Sequence, residues 1–422
     1  MQKPKILVIT VSSWNSKVGA NSWASLLEGY PSENIANISI REECPDSNIC
    51  SRYFCISENK ILKSIFKRKL KTGYQVMPEA EEENHDLTVH NERYKKLQGK
   101  RFYPLLLSRE LVWKLGKWKS KELDAFIDSF KPDIILHSME GYIHLNRITQ
   151  YAIKRSGAKA IGYIWDDNFT YKQHNDLGYK IYRYFQRKSL KKLATLTQAF
   201  FAISPKTKKE ADEFFNINSI LLTKPLNTTP VFSKSEFNKP LKMLYTGNLL
   251  IGRDKSLQKV SNALNEINKE DTKIVLDVYT GTFLDDKIKS GICSPFCRIH
   301  EPISQQEVLK LQKEADILLF LEDIDGKDAK VARLSFSTKI TDYLSSGKCI
   351  LAVGNSDIAP IEYFKENDCA LVASNKEEIV KALSLDEETL NYYAKNAIDC
   401  GMKNHSPEKI RNIFYSTINS LE

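Results

Sequence analysis

The sequence has no long apolar run and no closely spaced cysteine pair. Its most hydrophobic segments, such as Ala315 to Leu321, are much shorter than the ~18 residues of a membrane-spanning helix. None of the eight cysteines forms C-x-x-C, and the seven histidines do not lie beside them at zinc-site spacing. These absences argue against a membrane-spanning protein and against a zinc module.

The cysteines and the first residues also indicate where the protein works. We interpret the tightest cysteine group, Cys44, Cys50 and Cys55, as free thiols in a reducing compartment, with a metal site as the alternative. The chain enters the apolar segment Ile6 to Thr10 without an export cleavage pattern. We therefore expect a cytoplasmic protein.

Positive charge is concentrated in the N-terminal part of a chain that has enough apolar sequence for real cores. The 422 residues are 42% hydrophobic, with 62 Lys+Arg against 53 Asp+Glu. Residues 1–240 carry 39 Lys+Arg and 25 Asp+Glu, whereas residues 241–422 carry 23 and 28, giving net charges of +14 and −5. This asymmetry indicates an anionic partner, either a membrane surface or nucleic acid. Because no interleaved aromatic stacking motif or recognition helix accompanies the basic residues, we expect no nucleic-acid partner.

Apolar and amphipathic segments alternate twice along the chain. Before residue 224 the predicted strands are Lys5 to Val11, Ile134 to His137, Ala158 to Trp165 and Ala199 to Ser204. Residues 224–241 contain three prolines and are predicted to be a linker. After it the predicted strands are Met243 to Thr246, Ile274 to Tyr279, Ala315 to Leu321, Cys349 to Val353 and Ala370 to Ala373. The alternation predicts two doubly wound α/β units in tandem, each with its ligand site at the carboxyl ends of the strands.

One segment interrupts the first series. Residues Lys60 to Lys71 place Ile61, Leu62, Ile65 and Phe66 on one helical face, with six lysines and arginines on the rest. Such a basic amphipathic helix can lie in an anionic membrane interface, and an ordinary surface helix is the alternative. The four glutamates between Glu79 and Glu83 are interpreted as a solvated loop.

The most informative segment runs from Ser335 to Ala352. Ser337 or Thr338 can cap a helix that starts at Lys339 and ends near Gly347. Free backbone amides at the helix start, with Lys339 beside them, suit a diphosphate. Asp342 lies on the same face and can accept hydrogen bonds from two vicinal hydroxyls, as acidic residues do with ribose.

This segment resembles the F-P-S-K-x-x-E-Y-L-A-x-G-K-P-V motif of GT-B glycosyltransferases, in particular the retaining family-4-like group. In that family the acidic residue of the helix holds the ribose of a nucleotide sugar and the preceding loop contacts the diphosphate. The resemblance implies that Ser337, Thr338 and Lys339 contact the diphosphate and that Asp342 holds the ribose. Leu334 stands where the first acid of the family's E-x7-E motif would fall.

A second segment, Tyr245 to Ser256, is similar to the Y-x-G-R-L-x-x-x-K-G loop of the same group. Gly247 permits close approach of the backbone to a phosphate. Asn248 replaces the arginine of the loop, and Arg253 stands for its lysine, with Lys255 close by. The resemblance implies that Gly247, Arg253 and Lys255 contact the donor diphosphate.

The resemblance covers most of the chain, with Pro132 to Ile135, Ala202 to Ser204 and His300 to Glu307 similar to further parts of the family pattern. It implies two Rossmann-like domains that face a central cleft. Residues 1–225 would bind the acceptor, residues 226–405 would bind the donor, and the C-terminal helix 406–422 would pack back on the first domain. His300 is interpreted as structural, with a contact to the nucleobase as the alternative.

Acceptor-side chemistry is expected at the ends of the N-terminal strands. His137 and Glu140 follow one predicted strand, and Asp166 and Asp167 follow another. A carboxylate or imidazole there could orient the acceptor hydroxyl, and of these we select Asp166 and His137, favouring Asp166. The segment Glu322 to Asp325 is interpreted as a solvated acidic loop, with metal binding as the alternative.

The resemblance thus implies a retaining, metal-independent hexosyltransferase without a cofactor. Its donor would be a UDP- or GDP-linked sugar, and its acceptor a glycan on a polyprenyl carrier in surface polysaccharide synthesis. The basic first domain would touch an anionic membrane from the cytoplasmic side. Because Leu334 replaces an acid of the motif, the alternative is a catalytically silent GT-B subunit that binds a partner glycosyltransferase.

Overall fold

The computed structural model describes residues 3–14, 22–77, 102–226, 230, 236–326, 328–384 and 386–421. The expectations that concern the segment Glu79 to Glu83 and part of the linker lie outside these residues. The chain forms two compact units. One comprises Met1–Leu222 with Arg411–Glu422, and the other comprises Thr223–Ile410.

The first unit is built on one sheet whose described strands are β1 (Ile6–Ile9), β2 (Ile35–Ser39), β3 (Arg52–Ile56), β4 (Gly73–Val76), β5 (Ile134–Ser138), β6 (Lys159–Ile164), β7 (Ala199–Ala202) and β8 (Ile220–Leu221). Their order is β4-β3-β2-β1-β5-β6-β7-β8, and only β4 is antiparallel to its neighbour. The order reverses between β1 and β5. In doubly wound sheets such a switch point opens a crevice at the carboxyl ends of the strands.

Helices connect these strands, and most begin at a capping side chain. They are Ser22–Leu26, Glu58–Ser64, Tyr103–Leu115, Lys121–Phe130, Ile143–Ser156, Leu177–Ala194 and Pro205–Phe215. Ser57, Ser120, Asp176 and Ser204 each accept a hydrogen bond from a backbone N–H of the first turn. The basic helix predicted through Lys71 is wrong in extent, because the helix ends at Ser64 and turns follow.

The second unit contains a parallel sheet formed by β9 (Leu241–Thr246), β10 (Ile274–Tyr279), β11 (Cys297–His300), β12 (Ile317–Leu321), β13 (Cys349–Val353) and β14 (Leu371–Ala373). Their order is β11-β10-β9-β12-β13-β14, so the switch point lies between β9 and β12. β12 and β13 are buried along their whole length. Apolar runs of this kind are typical of strands covered on both faces. The prediction of two parallel-sheet α/β units is confirmed.

The helices of the second unit are Arg253–Ile267, Asp286–Ile292, Gln305–Glu314, Ala329–Ala332, Lys339–Leu344, Ala359–Glu366, Lys376–Leu383 and Glu387–His405. The last helix, Pro407–Asn419, belongs to the first unit from Arg411 onward. There the Phe414 ring packs 6.4 Å from Trp23, and the Tyr415 hydroxyl donates to the Leu26 carbonyl at 3.3 Å. Among the described residues, no helix has both the length and the hydrophobicity needed to cross a bilayer.

Candidate functional site

The switch point of the second unit collects most of the residues that the sequence singles out. Gly247 directly follows β9, and Glu322 directly follows β12, the neighbouring strand. Arg253 begins the helix after the β9 loop, and Lys339 begins a short helix between β12 and β13. The fold therefore brings two segments together that lie about 90 residues apart in the chain.

Arg253 is fixed by three hydrogen bonds at this position. Its Nη2 donates to Glu322 Oε1 at 2.8 Å, its Nε to the Leu321 carbonyl at 3.0 Å, and its Nη1 to Asn248 Oδ1 at 2.8 Å. Burial opposes the charge of Arg253, but the Glu322 carboxylate more than offsets this and raises the pKa of the guanidinium. The Arg253 guanidinium is thus held in place, and the Glu322 carboxylate balances part of its charge.

The interpretation of Glu322 to Asp325 as a solvated loop is wrong for its first two residues. Glu322 and Asp323 are 3% and 2% exposed. The Asp323 carboxylate accepts hydrogen bonds from the backbone N–H groups of Asp325, Asp328 and Ala329, at 2.9 to 3.1 Å. These acids organise the loop, since each is engaged by a guanidinium or by amides. Among the described residues, no group of three or more His, Cys, Asp or Glu could hold a metal ion.

The β9 loop depends on glycine at two positions. Gly252 has φ 76°, and an added Cβ would lie 2.6 Å from Asp323 Cγ. Gly247 has φ 141°, and an added Cβ would overlap Lys339 Nζ and lie 2.8 Å from its Cε. Only glycine therefore leaves room for the lysine ammonium against the backbone.

Lys339 is the second cation of the cluster. Its Nζ lies over the Tyr245 ring, 4.7 Å from the centroid. Burial, and next the nearby Arg253, lower the pKa of Lys339 to about 8, against the opposing effect of Glu322 and Asp342. Arg253 and Lys339 are two cations at close range, and a negatively charged ligand would raise the lowered pKa of the Lys339 amine. Both features favour a polyanionic ligand.

The helix that follows is shorter than predicted. It spans Lys339–Leu344, and Gly347, with φ 72°, comes three residues after its end. Ser337 Oγ accepts from the Lys339 N–H at 3.3 Å, whereas Thr338 occupies the cap position without a side-chain cap. One and a half turns contribute little dipole, so the cations dominate the electrostatics.

Asp342 has a partner that the sequence analysis placed in the linker. Lys224 Nζ lies 3.3 Å from Asp342 Oδ1, and Lys224 is 8% exposed. Its backbone carbonyl accepts from His405 Nδ1 at 3.0 Å, and the Leu226 N–H donates to the His405 carbonyl at 2.9 Å. Lys224 therefore belongs to the second unit and orients the Asp342 carboxylate.

The switch point of the first unit carries a different set of groups. His137 is 1% exposed, its Nε2 lies 3.1 Å from Thr197 Oγ1, and burial lowers its pKa to about 4. Asp167 is also buried, and it accepts from the Thr170 N–H and hydroxyl, as a turn residue does. This geometry does not favour a direct role for His137 at an acceptor hydroxyl.

Glu140 and Asp166 are the accessible acids there. Asp166 is exposed, and Glu140 is partly buried with Oε1 accepting from the Ser138 hydroxyl at 2.9 Å. Burial, and next the Asp166 carboxylate, raise the pKa of Glu140 to about 7. A carboxyl group with a pKa near neutrality beside an exposed carboxylate is an arrangement suited to proton handling.

The solved structures that match this chain over nearly its whole length include the following three. They are HepE from Anabaena in complex with UDP-glucose (TM-score 0.60, 9% identity, 99% of this chain and 100% of the other), an S. aureus TarM variant with Fondaparinux, alpha-GlcNAc-glycerol and UDP (0.58, 9%, 98% and 99%), and the trehalose 6-phosphate synthase of Burkholderia multivorans (0.58, 9%, 100% and 97%). The chain has the GT-B fold. No protein-family model matches the chain, and no curated protein sequence is similar to it.

In this chain, some of the residues that the sequence motifs singled out lie apart from the two cations Arg253 and Lys339. Lys255 has a side chain that is 58% exposed and lies 3.9 Å from Asp328. His300 pairs with Asp277 at 2.7 Å and stacks on the Tyr279 ring, contacts that suit a structural role. Leu334 is completely buried, so the position equivalent to the first motif acid is part of the core.

Proposed function

We propose that the protein is a glycosyltransferase that moves a sugar from a nucleoside-diphosphate sugar to a hydroxyl acceptor. The observation that carries this proposal is the pair of cations, Arg253 and Lys339, beside the bare backbone of Gly247 at the switch point. A diphosphate is the anion that such a site suits best. The fold adds support, since structures of similar proteins contain UDP-glucose or UDP.

The positions of the residues in the proposed donor site indicate which part of the donor each would contact. Arg253 and Lys339 would balance the diphosphate charge, with Ser337 and Thr338 offering hydroxyl groups at the same end of the short helix. Asp342, oriented by Lys224, would accept hydrogen bonds from the ribose hydroxyls. Lys255 would contribute at longer range. We propose UDP or GDP as the nucleotide part and no cofactor.

The acceptor would bind the first unit at Glu140 and Asp166. Glu140, with its pKa near neutrality, replaces His137 as our candidate beside Asp166. We propose a retaining reaction without a catalytic metal, in which the departing diphosphate helps to deprotonate the attacking hydroxyl. A glycan on a polyprenyl carrier, in surface polysaccharide synthesis at the cytoplasmic face of a membrane, is our proposed acceptor.

Turnover tests the proposal most simply. We expect release of nucleoside diphosphate when the protein is incubated with UDP- or GDP-sugars and hydroxyl acceptors. Asp342→Ala should lower kcat/KM about 10- to 100-fold, because it removes hydrogen bonds between a carboxylate and the ribose. The control is Asp325→Ala in the same unit, whose carboxylate is exposed and pairs with Lys259.

The second candidate function is a silent GT-B subunit that binds a partner glycosyltransferase. It is favoured by the buried Leu334 at the position of a motif acid. The two functions differ in one result. Stable donor binding by the wild-type protein with no turnover of any nucleotide sugar would support the silent subunit and overturn the enzyme.

Donor affinity should depend on pH through Lys339. Its folded pKa of about 8 means that the free protein carries this charge below pH 8 and loses it above. A bound diphosphate raises that pKa, so binding takes up a proton at high pH, and affinity should fall up to about tenfold per pH unit above pH 8. Calorimetric titrations at several pH values measure this, with Lys339→Arg as the variant whose profile should be flatter. An affinity that stays constant in the wild type would contradict the role of Lys339.

A further inference from the structure

Two neighbouring helices of the first unit turn their apolar side chains outward. In and just before helix Tyr103–Leu115, the side chains of Phe102, Leu105, Leu111 and Leu115 are 50% to 67% exposed. Leu111 and Leu115, four residues apart, lie on one side of the helix, and Leu105 lies about 120° further round it. Apolar side chains exposed in this number normally mark an interaction surface.

The rotation of this helix is fixed by charges on its inner side. Glu110 is 8% exposed and accepts from the Ile143 N–H at 3.1 Å and from His144 Nδ1 at 2.8 Å. Arg109 Nη2 donates to Glu58 Oε2 at 2.6 Å. Turning the leucines inward would break these buried contacts, which are costly to lose. The outward leucines are therefore a built feature of the unit.

Helix Leu177–Ala194 repeats the arrangement. Arg183 and Gln186 are buried, with Arg183 Nη2 donating to Gln173 Oε1 at 2.6 Å and Gln186 Nε2 to the Gly141 carbonyl at 2.7 Å. The exposed apolar side chains of this helix are Leu177, Ile181, Tyr184 and Phe185. Tyr184 and Phe185 form one wall of an open apolar groove.

The two helices adjoin, and a third segment extends their surface. The Tyr103 ring lies 5.8 Å from the Tyr179 ring. Arg68 Nη1 donates to the Leu115 carbonyl at 3.2 Å, which brings the turn with the exposed Phe66 to the end of the first helix. We call the exposed side chains of Leu62, Phe66, Phe102, Leu105, Leu111, Leu115, Leu177, Ile181, Tyr184 and Phe185 the outer apolar surface.

The exposed charges within the two helices are all positive, and Asp176, the capping residue before Leu177, is an exposed acid beside them. Helix Leu177–Ala194 contains no Asp or Glu, and Glu110, the single acid of helix Tyr103–Leu115, is buried. Exposed cations accompany the apolar side chains, namely Lys63, Lys67, Arg68, Lys69, Lys114, Lys180, Lys188, Lys191 and Lys192. Apolar side chains interspersed with lysines match the headgroup region of an anionic bilayer, where lysine stems lie along the apolar layer and ammonium groups meet phosphates.

The geometry points to docking of the outer apolar surface on an anionic lipid bilayer. Leucine and aromatic side chains enter the interface, and the lysines bind the lipid phosphates. This inference deepens the proposed function and rests on it in one respect, since a glycosyltransferase with a lipid-carried acceptor must work at a membrane surface. Lipid binding is measured separately from donor binding, so the two can fail independently.

Vesicle co-sedimentation of the full chain tests this docking. We expect binding to vesicles of phosphatidylcholine with about 30% phosphatidylglycerol, weak binding to phosphatidylcholine alone, and release by salt. The double variant Leu105→Gln with Leu111→Gln should lower partitioning at least about tenfold, because both side chains lose their transfer to the interface. Leu309→Gln is the matched control, since Leu309 is 49% exposed on a helix of the other unit.

Thermal stabilisation by nucleotides and analytical ultracentrifugation distinguish membrane docking from damage to the fold and from dimer formation. Thermal stabilisation by UDP or GDP should be the same in the double variant and the wild type, which shows that the donor unit is intact. No binding of the wild-type chain to anionic vesicles, or equal binding of the double variant, would overturn the proposal. A wild-type dimer in analytical ultracentrifugation that the double variant dissolves would also overturn it, in favour of a second copy as the occupant.

Discussion

Gly247→Ala should reduce the affinity for a nucleoside diphosphate about 100- to 10,000-fold. Gly247 has φ 141°, a region that is essentially restricted to glycine, and the new methyl group would overlap Lys339 Nζ. The backbone strain costs about 1–3 kcal/mol, and losing a charge-assisted contact to the displaced lysine costs about 1.5–3 kcal/mol more. Titration calorimetry with UDP and GDP measures the change.

The control for this variant is Gly281→Ala. Gly281 lies shortly after β10 of the same sheet, and an added Cβ would lie 3.7 Å from Pro302 Cγ, an ordinary contact. We expect its affinity to stay within about twofold of the wild type, because neither strain nor overlap arises. If Gly247→Ala bound the nucleotide as tightly as this control, the β9 loop would not be the diphosphate loop.

Glu322→Gln should destabilise the second unit by about 2–4 kcal/mol. The substitution leaves the partly buried Arg253 guanidinium without its carboxylate, and breaking one side of a buried ion pair is costly. The hydrogen bonds from Arg253 to the Leu321 carbonyl and to Asn248 remain, so the loss of stability should be smaller than if all the contacts of Arg253 were lost. Urea denaturation followed by circular dichroism gives the free energy of unfolding.

Asp325→Asn in the same loop is the matched control. Asp325 pairs with Lys259 at the surface, where ion pairs contribute about 0–1 kcal/mol. The loss of stability can also be assigned to the second unit, because all five tryptophans lie between Trp14 and Trp165 and their fluorescence reports on the first unit alone. Tryptophan fluorescence should therefore be unchanged in Glu322→Gln, while circular dichroism shifts. Equal stability of the two variants would contradict a structural ion pair at Arg253.

The buried strands of both sheets could be predicted because their apolar runs are long and bounded by turns. Ile274–Tyr279 and Cys349–Val353 match the predicted segments residue for residue. The edge strands β4 and β8, and β3 beside β4, were not predicted. β2 was also missed, since Asn37 interrupts its apolar pattern. In the fold the Asn37 amide nitrogen donates to the Val8 carbonyl at 3.1 Å and to Thr10 Oγ1 at 2.9 Å, so its N–H groups are satisfied inside the sheet.

The proposed donor site was only partly predictable, for a different reason. Gly247, Arg253 and Lys339 stood out because they lie in motif-like segments. Glu322 and Lys224 did not, since their burial and pairing depend on where distant segments meet in the fold. A glutamate in an acidic run and a lysine before a proline both look solvated in the sequence. Glu322 is assigned to the site because it lies at the end of β12, and Lys224 because its backbone is bound to His405.

The outer apolar surface was hidden for the same physical reason. A helix such as Tyr103–Leu115 would be placed with its leucines inward by its pattern alone. Glu110, with its bond to His144, instead turns the helix so that the leucines face outward. The sequence shows which side chains are apolar, and the buried polar contacts decide which way they point.

We propose that the second unit binds the diphosphate of a nucleotide through Arg253, Lys339 and the backbone at Gly247. This binding can be measured by calorimetric titration of the wild type and of Lys339→Met with UDP and GDP, beside uridine and guanosine. We expect one diphosphate to bind at least about 100-fold more tightly than its nucleoside, and Lys339→Met to remove most of this difference. Equal binding of nucleoside and diphosphate, or an unchanged affinity in Lys339→Met, would contradict this proposal.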